Sequence, residues 1–165
     1  MKTIVFIASL TALMSVTHVS NAAIVGALVD GQVSGLTAKE GDSVSKGQLL
    51  LEVDARAQQA RISQIKARLK MAELALKDAK LDFEAEKALF DQTVTAKRRY
   101  DAAVLVNERA ATQVDILRAE LVEALSKLDY HLIKAPYNAK LTKLWVQNGD
   151  TVFHENQKLF ELEAR

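Results

Sequence analysis

The chain has 165 residues, 22 Lys and Arg against 21 Asp and Glu, and no cysteine. The charge balance gives no reason to expect nucleic acid or an anionic membrane surface as a partner. The missing thiols exclude disulfides, thiolate metal sites, cysteine nucleophiles and lipid attachment through an N-terminal cysteine.

The first 22 residues have the layout of an export signal: Lys2, an apolar stretch from Ile4 to Val16, and small residues ending in Ser20-Asn21-Ala22. Cleavage is expected after Ala22 or Ala23. The rival reading, an uncleaved anchor, needs a span of about 20 apolar residues, and this run is shorter and interrupted by Ser9, Thr11 and Ser15.

From Ile24 to Asp54 short apolar runs alternate with Gly26, Gly31, Gly35, Gly41 and Gly47, a pattern of short strands and turns. Its densest part, GDSVSKGQLLLEVDAR from Gly41 to Arg56, has a near copy in GDTVFHENQKLFELEAR from Gly149 to Arg165. With one inserted residue in the second copy, Gly41, Asp42, Val44, Gln48, Leu50 and Glu52 fall on Gly149, Asp150, Val152, Gln157, Leu159 and Glu161, and Gly47 falls on Asn156. Two equivalent hairpin units are expected. Neither buries an apolar face alone, so the two must close on each other into one small sandwich.

Between them, residues 57–131 carry the pattern of two long helices. Ile62, Ile65, Leu69, Ala72, Leu76, Ala79, Phe83, Glu86 and Phe90 are spaced by alternating three and four, the seam of a coiled coil. The alternation returns in Tyr100, Ala103, Asn107, Ala110, Val114, Leu117, Leu121, Ala124 and Leu128. Pairing the first set with the second in reverse gives residue numbers that add to 189 or 190, as an antiparallel hairpin with its turn near Thr95 requires. No Gly or Pro interrupts the stretch between Gly47 and Pro136, and each arm is expected to reach about 50 Å. Glu86 and Asn107 break the seam near the tip, which should be the adaptable end. Pro136 is expected to mark the change from returning helix to strand.

The KEGDSVSKGQLLLEVD run at Lys39 to Asp54, the helical hairpin, and the LIKAP run at Leu132 to Pro136 followed by Asn148-Gly149-Asp150 together resemble the periplasmic adaptor subunits, or membrane fusion proteins, of bacterial efflux pumps and type I secretion systems. The resemblance covers nearly all of the chain after the signal. It implies an α+β fold in which a long antiparallel α-helical coiled-coil hairpin, residues 57–131, is inserted between two halves of a lipoyl-like β-sandwich, residues 23–56 and 132–165. Departures are Asn138-Ala139 in place of a usual Asp-Gly, and a short interval between Gly35 and Glu40 where one strand is expected to be clipped. A shortened adaptor, without the family's β-barrel and membrane-proximal domains, is expected.

At the hairpin turn such adaptors carry a basic residue, a leucine and a small hydroxyl residue, positions occupied by Lys87, Leu89 and Thr95. Thr95 stands for the more usual Ser, and Tyr100-Asp101 comes one residue later than the family spacing. Leu89 lies off the seam beside Phe90 and is expected to be exposed, while Thr95, at the symmetry centre, is expected not to be buried by the hairpin. The cluster Lys97-Arg98-Arg99 is either a solvated helix start or part of the same contact, so Lys87, Leu89, Thr95, Lys97 and Arg98 form the candidate partner-binding set. The resemblance implies an outer-membrane channel at this tip and a homo-oligomeric ring. It also implies an inner-membrane transporter, reached directly or through another adaptor, and a periplasmic location in association with the inner membrane. A second reading stays open: a structural or regulatory coiled-coil protein with the adaptor shape that does not itself support transport.

No catalytic set is visible, and His18, His131 and His154 have no second ligand at metal spacing. Asp42 and Asp150 each follow a glycine in the repeated turn, where Asp bonds the backbone, and Trp145 is expected to pack in the core. Lipoyl and biotinyl domains present a lysine on the tight hairpin between their halves. The helical rod replaces that hairpin here, and Lys70-Met71 sits in mid-helix, so neither a covalent cofactor nor enzyme activity is expected.

Overall fold

The computed structural model describes residues 22–154 and 157–164. The expected export signal lies outside these apart from Ala22, and Asn156, the expected counterpart of Gly47, lies outside them too. The described elements are β1 (Ala22–Gly26), β2 (Gly31–Leu36), β3 (Ser43–Val44), β4 (Leu49–Val53), α1 (Arg56–Asp91), α2 (Lys97–Asp129), β5 (Leu132–Lys134), β6 (Ala139–Leu144), β7 (Thr151–Val152) and β8 (Lys158–Ala164). The architecture is the expected α+β one, a helical hairpin set between two strand-forming halves.

The strands form two four-stranded sheets, β1-β8-β6-β3 and β5-β4-β2-β7, and every ladder is antiparallel. Each sheet takes its inner pair of strands from one half of the chain and its outer pair from the other. The exchange follows a two-fold relation that sends β1 to β5, β2 to β6, β3 to β7 and β4 to β8. Because both halves supply the same four strands, the clipped strand expected between Gly35 and Glu40 is not observed.

The symmetry extends to single hydrogen bonds. The Gly41 amide donates to the Leu141 carbonyl at 2.8 Å and that of Gly149 to Val33 at 2.9 Å. Both glycines hold positive φ, 91° and 92°, the backbone that residues with a Cβ adopt at a penalty. Asp42 accepts from the Lys39 amide at 2.9 Å and Asp150 from the Gln147 amide at 2.8 Å, while Gln48 and Gln157 accept from the Ser45 and Phe153 amides. In β4 and β8 one residue is skipped by a neighbouring ladder, Leu50 opposite β5 and Leu159 opposite β1. These bulges explain why Leu50-Leu51 and Leu159-Phe160 are consecutive yet fully buried, where a regular strand would turn one of each pair outward. With Val53, Leu141, Val152 and Leu162 they form the centre of the sandwich core.

The hairpin follows its seam closely. From Gln59 to Asp91 the nine seam positions are the only ones that are not exposed, and all nine in α2 are buried or half-buried. Ile62, Ile65 and Ala124 form a buried cluster with Leu121 and Leu128 against them, at the end of the rod next to the sandwich. Two ion pairs flank the seam, Arg68 with Glu120 at 3.3 Å and Glu73 with Arg118 at 3.5 Å. At the foot of the rod the Gln58 side chain donates to the Ala124 carbonyl at 2.6 Å. The His131 ring ends α2 by placing Nδ1 3.0 Å from the Lys127 carbonyl, a contact that puts its proton on that nitrogen.

Two expectations need correction. Pro136 does not mark the helix-to-strand change: α2 ends at Asp129 and β5 precedes the proline, which lies in the bend before β6. There Asn138 accepts from the Lys46 amide at 2.8 Å and so ties this bend to the first half. Trp145 is not core. It is 41% exposed just beyond β6, with the Lys158 ammonium 5.8 Å from its ring centroid.

Candidate docking site at the hairpin tip

The tip begins where α1 stops without a glycine. Thr93 takes the left-handed conformation, φ 59°; its amide donates to the Phe90 carbonyl at 2.9 Å, and the Val94 amide donates to the Leu89 carbonyl at 2.9 Å. This pair of bonds is a Schellman ending, in which a left-handed residue satisfies the last carbonyls of the helix. Glycine is the usual occupant, and a β-branched residue there costs about 1–2 kcal/mol. The chain then runs extended through Ala96, φ −74° and ψ 142°, into α2.

Below the loop the two helices are clasped by aromatic rings. Phe90 stacks on Tyr100 with centroids 4.9 Å apart and planes 12° from parallel, and Phe83 meets the same ring at 6.1 Å. Farther down the seam loosens. The small side chains Ala79, Ala85, Ala102 and Ala103 leave an open groove of about 400 Å³ beside Asp82 and Glu86. The Asn107 side-chain oxygen is buried with no hydrogen-bond partner among the described residues.

The candidate residues do not form one patch. Lys87 and Leu89 are two positions apart on α1, about 200° around the helix, so they flank the seam on opposite sides. Leu89 is 40% exposed, as its off-seam position requires. Thr95 differs from expectation: it is half-buried, and its hydroxyl donates to Glu86 Oε2 at 3.0 Å. Glu86, which looked like a defect in the seam, therefore holds the loop down. Lys97 is paired with Asp101 at 2.7 and 2.9 Å along its own helix. Arg98 is exposed and makes no ion pair among the described residues. With Lys97 and Arg99 it crowds three cations into the first turn of α2, which has no acidic residue, at the end where the helix dipole disfavours positive charge. Sequence reasoning passed over Thr93 and Val94. The signal was present, since two β-branched or hydroxyl residues fill the gap between helical patterns where a glycine would have been expected.

Elsewhere, no group of three or more His, Asp or Glu side chains among the described residues is placed to hold a metal ion. No described helix is long and apolar enough to cross a membrane.

Residues 21–161 match the family described as the barrel-sandwich hybrid domain of RND membrane fusion proteins. The chain is 28% identical over 143 residues to the multidrug resistance protein MdtA of Proteus mirabilis strain HI4320, covering 87% of this chain and 34% of that protein. It is 30% identical over 149 residues to the macrolide export protein MacA of Escherichia coli O157:H7, covering 81% and 40%. The chain thus spans roughly a third to two fifths of the length of these curated relatives. Among solved structures, the membrane fusion protein Spr0693 of Streptococcus pneumoniae R6 shares the fold with a TM-score of 0.67 at 16% identity, over 87% of this chain and 61% of that one.

Proposed function

This chain belongs to the barrel-sandwich hybrid domain family of RND membrane fusion proteins, and from that premise we propose that it serves as the adaptor component of a tripartite efflux or secretion system, its hairpin tip docking on an outer-membrane channel. The observation that carries the reading is Leu89, exposed at the end of the rod while the adjacent Phe90 is held against Tyr100. An apolar side chain left out of the seam at the far end of a spacer suits end-on docking, where it supplies most of the energy and neighbouring polar groups set the register. We assign Lys87, Thr95, Lys97 and Arg98 to the same contact, and of these cations Lys87 and Arg98 make no ion pair among the described residues whereas Lys97 is held by Asp101. The relatives named for multidrug resistance and macrolide export support an efflux role.

At the other end the sandwich is proposed to serve the inner-membrane transporter, directly or through another adaptor, within a homo-oligomer in the periplasm. The test is Leu89→Ala. We expect loss of channel association and of export, with helix content and melting temperature unchanged because the side chain lies outside both cores. Normal export by this variant would remove the tip from the contact.

A further inference from the structure

Thr93 and Val94 have no part in the set assigned so far, yet their geometry is the most constrained at the tip. Val94 is 69% exposed at the crest of the loop, and Thr93 is the only non-glycine residue with positive φ among those described. The bond from the Val94 amide to the Leu89 carbonyl has a consequence for side chains. In a Schellman ending the residue after the left-handed position frequently packs on the one that accepts this bond; the backbone here brings Val94 next to Leu89 with both side chains exposed, a placement from which the two can act as one apolar knob. Its base is fixed on two sides, by the Phe90 and Tyr100 stack and by Thr95 held to Glu86.

We propose that this two-residue knob is the apolar anchor of the docking end, with Val94 a specificity-determining contact and Thr93 a positioning residue, and that it seats in an apolar cleft of a partner protein rimmed by carboxylates. The inference rests on the reading of the tip as the docking end. The rim follows from charge complementarity, because Lys97, Arg98 and Arg99 fill the first turn of α2 next to the loop. A protein cleft is favoured over a lipid surface because two short side chains offer less apolar area than a single acyl chain, itself a marginal anchor. The rigid base matters because a pre-ordered contact loses less entropy on binding.

The test uses the full chain against the purified outer-membrane efflux channel of the same bacterium in nanodiscs, and separately against phosphatidylethanolamine and phosphatidylglycerol vesicles. Val94→Asp should weaken channel binding about tenfold or more, comparably to Leu89→Ala. Thr93→Gly should raise the melting temperature or leave it unchanged while weakening binding about threefold, a combination that a purely structural role for Thr93 does not produce. If Leu89→Ala weakens binding but Val94→Asp and Thr93→Gly bind like the wild type, the knob is wrong and the docking tip stands. If the wild type does not bind the channel, both readings fall. Binding to vesicles that Val94→Asp abolishes, without channel binding, overturns the protein cleft in favour of a lipid surface.

Discussion

The first turn of α1 depends on one carboxylate. Asp54 accepts from the Arg56 amide at 3.0 Å and from the Arg56 guanidinium at 2.6 to 3.0 Å, and these hydrogen bonds, side chain first, lower its pKa from 3.8 to about 2. Ala55 occupies the cap position and offers no side-chain acceptor, so Asp54 supplies it from one residue earlier. The sign is that of a depressed acid: the stabilisation is fully present above the unfolded carboxylate range near 3.8 and is lost as pH falls through about 2. The Arg56 amide proton resonance is therefore expected to titrate with a midpoint near 2, and Asp54→Asn should abolish that titration. A midpoint at the ordinary carboxylate value would show that the guanidinium does not engage Asp54 in solution. Thr95 teaches a related lesson. Read alone it was a hydroxyl at the exposed turn; the carboxylate that captures it, Glu86, sits nine residues away, at a position that looked like a flaw.

At the level of the hairpin, the repeating steps of three and four carried most of the information. A seam is legible because burial between two helices depends on position within a turn and hardly on what lies farther away. Its ending was legible only as a gap between the two patterns, because the left-handed conformation of Thr93 is chosen by the geometry of the return rather than by its own propensity. The register makes a direct prediction. Ala79, buried, and Ala110, half-buried, are small seam residues equidistant from the turn, so Ala79→Cys with Ala110→Cys should oxidise to a disulfide, which needs Cα atoms within about 7 Å. Ala79→Cys with Leu128→Cys should not. The opposite result would mean a slipped register, and with it a different set of residues at the tip.

Taken whole, the molecule is a two-fold sandwich from which a rod leaves at one of two equivalent corners. The repeated Gly-Asp-x-Val turns were enough to foresee two units packing together, but the exchange of inner and outer strands was not, because those ladders join residues 95 to 121 positions apart. Trp145 was misjudged for a similar reason. Its counterpart Thr37 bonds back to the Leu49 and Leu50 carbonyls at 2.7 and 3.1 Å, so what this site does in one half says nothing of the other. The rod has a further regularity on the face of α1 opposite the seam. Ala60, Gln64, Ala67, Met71, Leu74, Asp78, Leu81, Ala85 and Ala88 repeat the same steps of three and four, and Met71, Leu74 and Leu81 are 72%, 56% and 57% exposed. Copies standing side by side in the same direction, α1 against the next α2, would cover this apolar stripe. Leu74→Glu with Leu81→Glu should then lower the sedimentation coefficient of the proposed ring to that of a single chain while leaving the circular dichroism unchanged, since neither side chain enters the seam. A variant that sediments like the wild type, or a wild type that is itself monomeric at tens of micromolar, would take the stripe out of the assembly surface and leave the tip to act from a lone rod.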